Sequence, residues 1–417
     1  MSNTIYRLGT ANMYDNALRN LGARQTSLSN LQENLTSGKR VVRASDDPVS
    51  AAQAERAINR LSRIQTEQRA LETQRNAIAQ AESSLGDAVD LIQKFRELVV
   101  NAGDGTLTPN DRTTIANQLQ GLREQLVEVA NRKDPNGIPL LGALGSALAP
   151  FLGPMSSSPD YSFAGLPGQG ASSGVAIPGT LDGDATFMFD PQRDGVYTAG
   201  VSTIPTGRAL NTSAIKPVDT SLVTGDNYTI TFSAVGPGAT PGTTTATYTI
   251  TNTTTGAVSP PVVVPDFPSD KPMSVSVTGI PGLQFDIKGT PANGDTITLK
   301  PSPSMFSTMD AAINGLRFSP DSNAAAQVVG QALGNMDIGL ERIHNMRGYA
   351  GELLNRADRI TGDQDKRSIQ LEGDRSRAED LDMIKGISDF QNQQVGYEAA
   401  LKSYAQVQKL SLFNFIG

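Results

Sequence analysis

The sequence lacks cysteine and tryptophan and contains a single histidine, His344. Without cysteine, the chain can form neither disulfides nor thiolate metal sites. A single histidine also excludes most hydrolytic and metal-dependent catalytic sites, and we expect His344 to occupy an exposed helix position. Aromatic residues are only 5% of the chain, so we expect the core to be aliphatic.

The chain has no large excess of charge and no long apolar run. Its formal net charge is −7, which provides no basic face for nucleic acid or anionic lipid. No apolar run approaches the roughly 20 residues that span a bilayer. Residues 1–20 include Arg7 and Arg19 and lack the apolar region of a cleaved signal peptide. If the protein leaves the cell, we expect another route of export.

Glutamate is absent between Glu128 and Glu341, where glycine, proline, serine and threonine dominate. Short alternating segments between turn residues predict antiparallel β structure there. The threonine-rich run 240–255 is also compatible with a disordered linker, although Tyr248 and Ile250 favour a strand. We predict strands at Ala185–Phe189, Tyr228–Phe232, Thr245–Thr251, Val275–Val277, Leu283–Ile287 and Thr296–Leu299.

The two ends of the chain carry amphipathic helical patterns. Residues 5–37 have leucines at seven-residue intervals, which is typical of a coiled-coil seam, and Gly38 is suited to ending this helix. Residues 377–417 have apolar residues at spacings of three and four and contain no proline. The simplest arrangement packs these two helices on each other, and the alternative is a pair of independent surface helices.

A second long helix begins at Asp47-Pro48, with Asp47 as N-cap and Pro48 at the first helical position. The paired Asp46 and Asp47 also suggest a cation site, but capping explains them better. The seven-residue spacing of apolar residues along this helix predicts a coiled coil that ends near Gly103. A third helix follows at Thr108-Pro109, which resembles a capping box, and it ends before the Asn136-Gly137 turn.

Helix returns near Met305, and a third apolar seam pairs most naturally with the second helix. The predicted rod seam comprises Ile64, Leu71, Ile78, Leu85, Ile92, Val99, Val329, Leu333, Met336, Leu340, Ile343 and Leu354. We expect Thr361-Gly362-Asp363 to loosen this helix before the terminal segment begins.

The predicted class is therefore α+β, with nested antiparallel coiled-coil helices from both chain ends forming a rod and an antiparallel β-rich insertion in the middle. The predicted domains are a terminal domain of residues 1–44 and 365–417 and a helical rod domain with a hairpin tip, of residues 45–144 and 301–364. The third part is a β-rich outer insertion of residues 145–300, which forms either one domain or two small subdomains.

Three motifs resemble the bacterial flagellin-type axial proteins, in particular their type 3 hook-associated branch at the hook–filament junction. They are Leu35–Arg40 followed by Ala44–Pro48; Arg347, Gly351 and Asn355; and the ending Leu410–Ile416. The resemblance covers residues 1–140 and 305–417. It departs from the family at Gly137–Leu141, where relatives carry an aromatic-containing strand. Pro139 lacks a backbone donor, so we expect a hairpin tip that is shorter or irregular.

The resemblance implies a structural, non-enzymatic subunit of a hollow helical assembly, with the terminal helices lining the inner tube. It implies copies of the chain in a ring, hook-associated protein type 1 on the hook side, flagellin on the filament side, and an export chaperone. The implied location is the extracellular flagellum, reached through the flagellar type III route without a cleaved signal peptide. No cofactor or metal is expected.

The residues independently predict assembly through the chain ends. Ordering each terminal residue costs on the order of 1–2 kcal/mol in backbone entropy, and one seam between two helices barely offsets this. We therefore expect the ends to be largely disordered in the free monomer and to fold when neighbouring subunits cover them. The predicted assembly residues are Ile5, Leu8, Tyr14, Leu18, Leu21, Leu28, Leu31, Leu35, Leu381, Ile384, Ile387, Val395, Leu401, Tyr404, Val407, Leu410, Phe413 and Phe415.

Two other interpretations stay open at this point. The first is flagellin proper, against which the Phe413-containing ending argues. The second is a secreted adhesin or ligand-binding protein that acts through the β insertion. Asp182, Asp184, Asp190 and Asp194 are a candidate calcium site, but their spacing does not match the EF-hand loop, and solvated turn aspartates explain them better.

Overall fold

A computed structural model describes residues 10–156 and 159–416, with side chains described for 15–156 and 159–406. By their internal contacts, the residues form two compact units. The first unit comprises Met1–Arg69 and Thr361–Gly417, and the second comprises Ala70–Ile360. The three predicted domains, whose boundaries differ from these, stay a prediction.

The helices, in chain order, are α1 (Thr10–Ser37), α2 (Pro48–Ala102), α3 (Pro109–Ala130), α4 (Gly183–Phe187), α5 (Pro191–Asp194), α6 (Met305–Arg317), α7 (Ser322–Glu379) and α8 (Met383–Ile416). The strands are β1 (Phe151–Leu152), β2 (Ser162–Phe163), β3 (Tyr197–Ser202), β4 (Leu210–Thr212), β5 (Lys216–Pro217), β6 (Tyr228–Pro237), β7 (Thr243–Asn252), β8 (Val262–Pro268), β9 (Met273–Ile280), β10 (Leu283–Gly289) and β11 (Thr296–Pro301). All pairs of these strands are antiparallel, and the predicted α+β class is confirmed.

Local sequence explains where α2 and α3 begin. Asp47 accepts a hydrogen bond from the backbone N–H of Ser50 (3.0 Å), and α2 starts at Pro48. Thr108 and Asp111 form a reciprocal capping box at the start of α3, with Pro109 in the first turn. Hydrogen bonds from the Ser50 side chain and backbone hold the pKa of Asp47 below its ordinary value. These side chains satisfy backbone donors that a helix start leaves unpaired.

In the second unit, α2 and α7 lie antiparallel. The ion pairs Arg75–Asp358, Glu82–Arg347 and Arg96–Asp337 join them, and as the residue number rises on α2 it falls on α7. Between these pairs lies an apolar core shared with α3 and α6. The antiparallel order follows directly from these contacts, whereas the nested coiled-coil rod stays a prediction.

The β region of the second unit has its own core. A five-stranded sheet runs in the order β3-β11-β6-β7-β8, while β10 pairs with β9 on one side and with β4 and β5 on the other. Alternate residues of β6 and β7 are buried in the core of the β region, including Ile230, Phe232, Tyr248 and Ile250. This alternation is what a half-buried sheet requires.

Strand β8 lies at one edge of the five-stranded sheet, and its sequence limits what can pair with it. It contains Pro265 and Pro268, which have no backbone donor, and Asp266, which is exposed. Val263 is also exposed, at 64%. Proline and charge are the features by which natural proteins protect sheet edges from pairing with other chains.

Three of the secondary-structure predictions are wrong. Ala185–Phe189 is not a strand, because Asp182 accepts a hydrogen bond from the backbone N–H of Ala185 and starts the short helix α4. The second error concerns Thr361-Gly362-Asp363, which does not loosen the returning helix, since α7 continues to Glu379. One glycine in a helix costs only about 1 kcal/mol, which this long helix absorbs.

The predicted continuous terminal helix from Arg377 is also wrong, because the chain leaves the helix at Asp380–Asp382. The carboxylate of Asp382 accepts hydrogen bonds from the backbone N–H groups of Ile384 and Lys385 (3.1 Å each), and a new helix, α8, starts there.

The predictions for His344 and for the other strands are confirmed. His344 is exposed on α7, and the five remaining predicted strands lie within β6, β7, β9, β10 and β11.

The buried seam of the second unit yields a stability prediction. Leu85 is fully buried on α2, so Leu85→Asp places an unpaired carboxylate in the apolar core. We expect the free energy of unfolding to fall by roughly 3–5 kcal/mol. Denaturant unfolding followed by circular dichroism measures this.

The matched control is Val100→Asp on the same helix, because Val100 is 53% exposed. We expect a loss of about 1 kcal/mol or less there, since an exposed charge stays hydrated. Equal losses in the two variants would contradict the assignment of Leu85 to the core.

Candidate assembly surface

The connection between α1 and α2 is anchored against the end of α7. Gly38 has a left-handed backbone (φ +71°) that ends α1, and its carbonyl accepts a hydrogen bond from Leu381 N (2.9 Å). Arg40 N donates to the carbonyl of Glu379 (2.7 Å), and Lys39 forms an ion pair with the Glu379 side chain. The guanidinium of Arg40 also donates to the carbonyl of Ala378 (2.9 Å). This connection therefore fixes where the two terminal helices meet.

The terminal helices α1 and α8 then run antiparallel. Near their junction, Leu35 lies against Gly386. Further along, the hydroxyl of Ser27 accepts a hydrogen bond from Gln393 Nε2 (3.1 Å). Arg24 also contacts Gln393, through a long hydrogen bond of 3.5 Å. The two helices thus contact each other over several turns.

The predicted assembly residues divide into three groups. Those half-buried are Leu21, Leu28, Leu31, Leu35, Leu381 and Tyr404. Those exposed are Leu18 (44%), Ile384 (85%), Ile387 (46%), Val395 (67%) and Leu401 (42%). Ile5 and Leu8 lie outside the described residues, as do the side chains of Tyr14, Val407, Leu410, Phe413 and Phe415.

Pairing of α1 with α8 therefore leaves much of the apolar surface of α8 uncovered. Among the predicted residues whose side chains the structure describes, Ile384 and Val395 are the most exposed, and neither is shielded by the partner helix. Sequence reasoning missed four further exposed apolar residues in the first unit, which the helical spacing did not group with the seams. They are Val49, Ile58, Ile369 and Met383. The exposed apolar residues of the first unit are therefore candidates for contact with a partner.

The predicted rod seam is, by contrast, covered. Ile64 is buried in the first unit. In the second unit, the buried members are Leu71, Ile78, Leu85, Ile92, Val99, Met336, Leu340 and Ile343. Val329, Leu333 and Leu354 are partly buried and pack against the same core. The buried members therefore have almost no apolar surface to offer a partner.

The paired aspartates have structural positions. Asp46 accepts a hydrogen bond from Arg43 N (2.9 Å), and Asp47 caps α2. Among the other four aspartates weighed as a calcium site, Asp182 caps α4, and Asp190 caps α5. Within residues 10–156 and 159–416, no three acidic or histidine side chains form a group able to hold a metal ion.

The sequence analysis interpreted Asp194 as a solvated turn aspartate, and this interpretation is wrong. Its side chain is only 4% exposed and forms ion pairs with Arg342 and with Arg193 (3.0 Å). Arg342 also donates to the carbonyl of Ala185. Burial lowers the pKa of Arg342, and Asp194 opposes this shift. The pair attaches α4 and α5 to α7.

A second buried cluster lies where α3 meets α6. Tyr161 donates to Asp310 (2.8 Å), which also pairs with Arg123 (3.0 Å). Burial raises the pKa of Asp310, whereas the hydrogen bond from Tyr161 and the positive charge of Arg123 lower it. Burial also raises the pKa of Tyr161 well above its ordinary value, so the phenol stays a donor. The cluster fixes the loop that carries Tyr161 on the helices.

A third feature missed from the sequence is a row of amides on α7, which we call the amide ladder. It consists of Gln327, Gln331 and Asn335, spaced by four residues and buried (5–7% exposed for the glutamines, 1% for Asn335). Residues four apart lie on one face of a helix. Gln327 exchanges hydrogen bonds with Thr212 of β4 (2.5 Å each), and Asn335 donates to the carbonyl of Tyr197 of β3 (2.9 Å). The ladder attaches the β region to α7.

The hairpin tip is irregular, as Pro139 led us to expect. Lys133 and Pro139 form an isolated bridge instead of a ladder, and Leu140 N donates to the carbonyl of Arg132 (3.0 Å). Leu140 and Leu141 are buried in the core of the second unit.

None of the helices within the described residues has a stretch both long and apolar enough to span a bilayer.

Residues 9–144 match the family model of the bacterial flagellin N-terminal helical region. The chain is 36% identical to flagellar hook-associated protein 3 of Salmonella typhimurium over 149 residues, which is 35% of this chain and 46% of that protein. The chain thus spans about half the length of the curated relatives it matches first. The predicted resemblance to the type 3 hook-associated proteins is confirmed.

Two crystal structures have a similar fold. FlgL of Xanthomonas campestris aligns over 76% of this chain and 98% of its own, with a TM-score of 0.57 and 21% identity. The flagellar junction protein FlgL of Legionella pneumophila aligns over 73% of this chain and 97% of its own, with a TM-score of 0.56 and 24% identity. At this identity, the likeness establishes the fold.

The Asp194–Arg342 pair gives a prediction for the second unit. Arg342→Met removes the main partner of a buried carboxylate, while Arg193 remains beside it. We expect the free energy of unfolding to fall by roughly 2–4 kcal/mol. Denaturant titration of the full chain measures this loss.

Arg96→Met is the matched control, because it breaks an ion pair with Asp337 whose side chains are 42% and 53% exposed. Solvent screens that pair, so the loss should stay at or below about 1 kcal/mol. If both variants lose the same stability, Asp194–Arg342 has no special structural role.

Proposed function

We propose that this chain is a structural axial protein of the bacterial flagellum and serves as an adaptor at the hook–filament junction. In this role it assembles through its terminal helices and allows the flagellin filament to grow. Similarity to hook-associated protein 3 supports the assignment, and so does the fold shared with a flagellar junction protein.

The observation that carries the proposal is the uncovered apolar surface of α8. Ile384, Val395 and Leu401 project from a helix that already has a partner in α1. Burying a side chain of this size is worth roughly 1.5–3 kcal/mol. Several such residues on one helix therefore favour contact with adjoining copies of the chain. In the proposed ring, these contacts line the inner tube, and the β region lies outside.

The partners follow from the same role. We infer that one end of the ring meets hook-associated protein type 1 and that the other end receives flagellin. An export chaperone that covers the apolar terminal segments before assembly fits their chemistry. The proposed location is the extracellular flagellum, reached through the flagellar type III route without a cleaved signal peptide.

Flagellin proper is the alternative within the same class. The match of residues 9–144 to the flagellin N-terminal region is compatible with it. Two relatives, at 36% and 35% identity, are hook-associated proteins, which favours the junction role. The two roles differ in their loss phenotype, because loss of a junction protein leaves flagellin secreted into the medium without a filament.

A complementation experiment tests the role and the surface together. A strain that lacks this protein should lose its filaments and release flagellin, and the wild-type chain should restore them. Leu401→Asp and Leu28→Asp should each fail to restore filaments, because a charge on the α1–α8 surface opposes burial between subunits. Filaments are counted by electron microscopy, and secreted flagellin by immunoblot.

Val263→Asp is the control, since Val263 is an exposed apolar residue on β8, which belongs to the second unit. It should restore filaments like the wild type. Full filament growth with Leu401→Asp and Leu28→Asp would show that the terminal helices are not the assembly surface. Intact filaments in the deletion strain would refute the junction role itself.

We also propose that residues 5–35 and 380–415 become protected only upon assembly. In the free monomer, their backbone amides should exchange with solvent much faster than those of residues 70–102, whose side chains form a buried core. Hydrogen exchange followed by mass spectrometry compares the two regions in one sample. Strong protection of both terminal segments in the monomer would refute folding upon assembly.

A further inference from the structure

Gln364 is a buried polar residue of the first unit, on the part of α7 that faces α2. Gln68 Nε2 of α2 donates to Asp365 Oδ1 of α7 (2.8 Å), which joins the two helices one residue away from Gln364. Asp363 and Asp365 are exposed, whereas Gln364 is only 3% exposed. An uncharged polar side chain therefore occupies a position that the helix pair shields from solvent.

The amide of Gln364 has no hydrogen-bond partner. Among the described residues, none donates to Gln364 Oε1 and none accepts from Gln364 Nε2. Both atoms are buried so completely that a water molecule has no room to touch them. Burying a polar group without a partner is unfavourable, because the group gives up its hydrogen bonds to water on folding. The closed helix pair bears this penalty, and an open pair, in which the amide is hydrated, does not.

The rest of the α2–α7 seam in the first unit offers little to offset the penalty. Over residues 48–69 and 361–379, all of which the structure describes, the other buried side chains are Ala54, Ala57, Ile64 and Ala378. Alanine methyl groups bury little apolar area, so they contribute little to stability. On α2 in the second unit, by contrast, the buried seam includes Leu71, Ile78, Leu85, Ile92 and Val99.

A groove along the same helices agrees with this difference in packing. It has a volume of about 420 Å³, and its lining includes Ala57 and Arg60 of α2 and Leu371 and Ala378 of α7. Side chains as short as alanine leave such space between two helices, and unfilled space forfeits favourable contacts. The pair in the first unit thus combines an unpaired buried amide with sparse apolar packing.

We propose that Gln364 is a built-in weak point, at which the α2–α7 pair of the first unit opens while the second unit stays folded. Opening of residues 48–69 and 361–379 hydrates the Gln364 amide and exposes few large apolar side chains. Opening of the second unit would instead expose its leucine and isoleucine seam. The inference is independent of the proposed flagellar role, because it depends only on the packing within each unit.

Hydrogen exchange of the purified full-length protein, followed by mass spectrometry, tests the proposal. In the wild type, the backbone amides of residues 361–379 should exchange at least about 10-fold faster than those of residues 340–357 on the same helix. Gln364→Met removes the amide and keeps an unbranched side chain of similar length. Exchange of residues 361–379 should therefore slow by about 5-fold or more, and exchange of residues 340–357 should not change.

A second substitution at the same position should have the opposite effect. Gln364→Glu places a carboxylate where the amide was, and a buried charge is more costly than a buried amide. Exchange of residues 361–379 should therefore become faster than in the wild type. Methionine, glutamate and glutamine have similar helix propensities, so the two variants differ from the wild type in the burial of the side chain and little in the helix itself.

Gln370→Met is the matched control, because Gln370 is exposed on the same part of α7. It should change the exchange of residues 361–379 by less than about 2-fold. Unchanged exchange in Gln364→Met would overturn the proposal, and so would an equal effect in Gln370→Met. Equal exchange of residues 340–357 and 361–379 in the wild type would also overturn it, since the two parts of α7 would then open together.

Discussion

The antiparallel packing of α2 against α7 is the interaction on which the rest of the second unit depends. These helices are separated by more than two hundred residues of chain, so their contact closes a very long loop. The entropic penalty of closure grows only slowly with loop length, and a long apolar seam offsets it. Side chains of α3 and α6 belong to the same core. The β strands are then tethered to α7 through the amide ladder.

This division leaves the first unit with a different character. In the second unit most residues of the long apolar seams are buried, and the others are partly buried against the same core. In the first unit α1 and α8 contact each other, yet Ile384 and Val395 on α8 remain open to solvent. The same amphipathic pattern thus has two different outcomes. It forms a buried core in the second unit and leaves an exposed apolar surface in the first unit.

The sequence predicted the features that depend on short-range patterns. The seven-residue spacing of Leu71, Ile78 and Leu85 identified residues that are buried, and the residues at Thr108 identified a helix start, because both signals are local. The strand predicted at Ala185 failed for a local reason as well. An aspartate three residues before Ala185 competes for its backbone donor and turns an apparent strand into a short helix.

The buried polar contacts could not be predicted, because each needs a partner that is distant in the sequence. Gln331 and Asn335 look like ordinary solvent-facing residues of an amphipathic helix until β3 and β4 cover them. Asp194 resembles a turn aspartate until Arg342, nearly 150 residues later, lies beside it. The exposed apolar residues of α8 pose the opposite difficulty, since periodicity reports an apolar face but not whether another element covers it.

The prolines of β8 have a consequence for crowding. In the proposed assembly, many copies of the β region stand close together around one axis, at a local concentration far above that of a dilute solution. Under those conditions, an unprotected edge strand would pair with the edge strand of a neighbouring subunit through backbone hydrogen bonds. The sheets of adjacent subunits would then be continuous. Pro265, Asp266 and Pro268 interrupt that bonding pattern, so adjacent β regions can crowd side by side and still remain separate bodies.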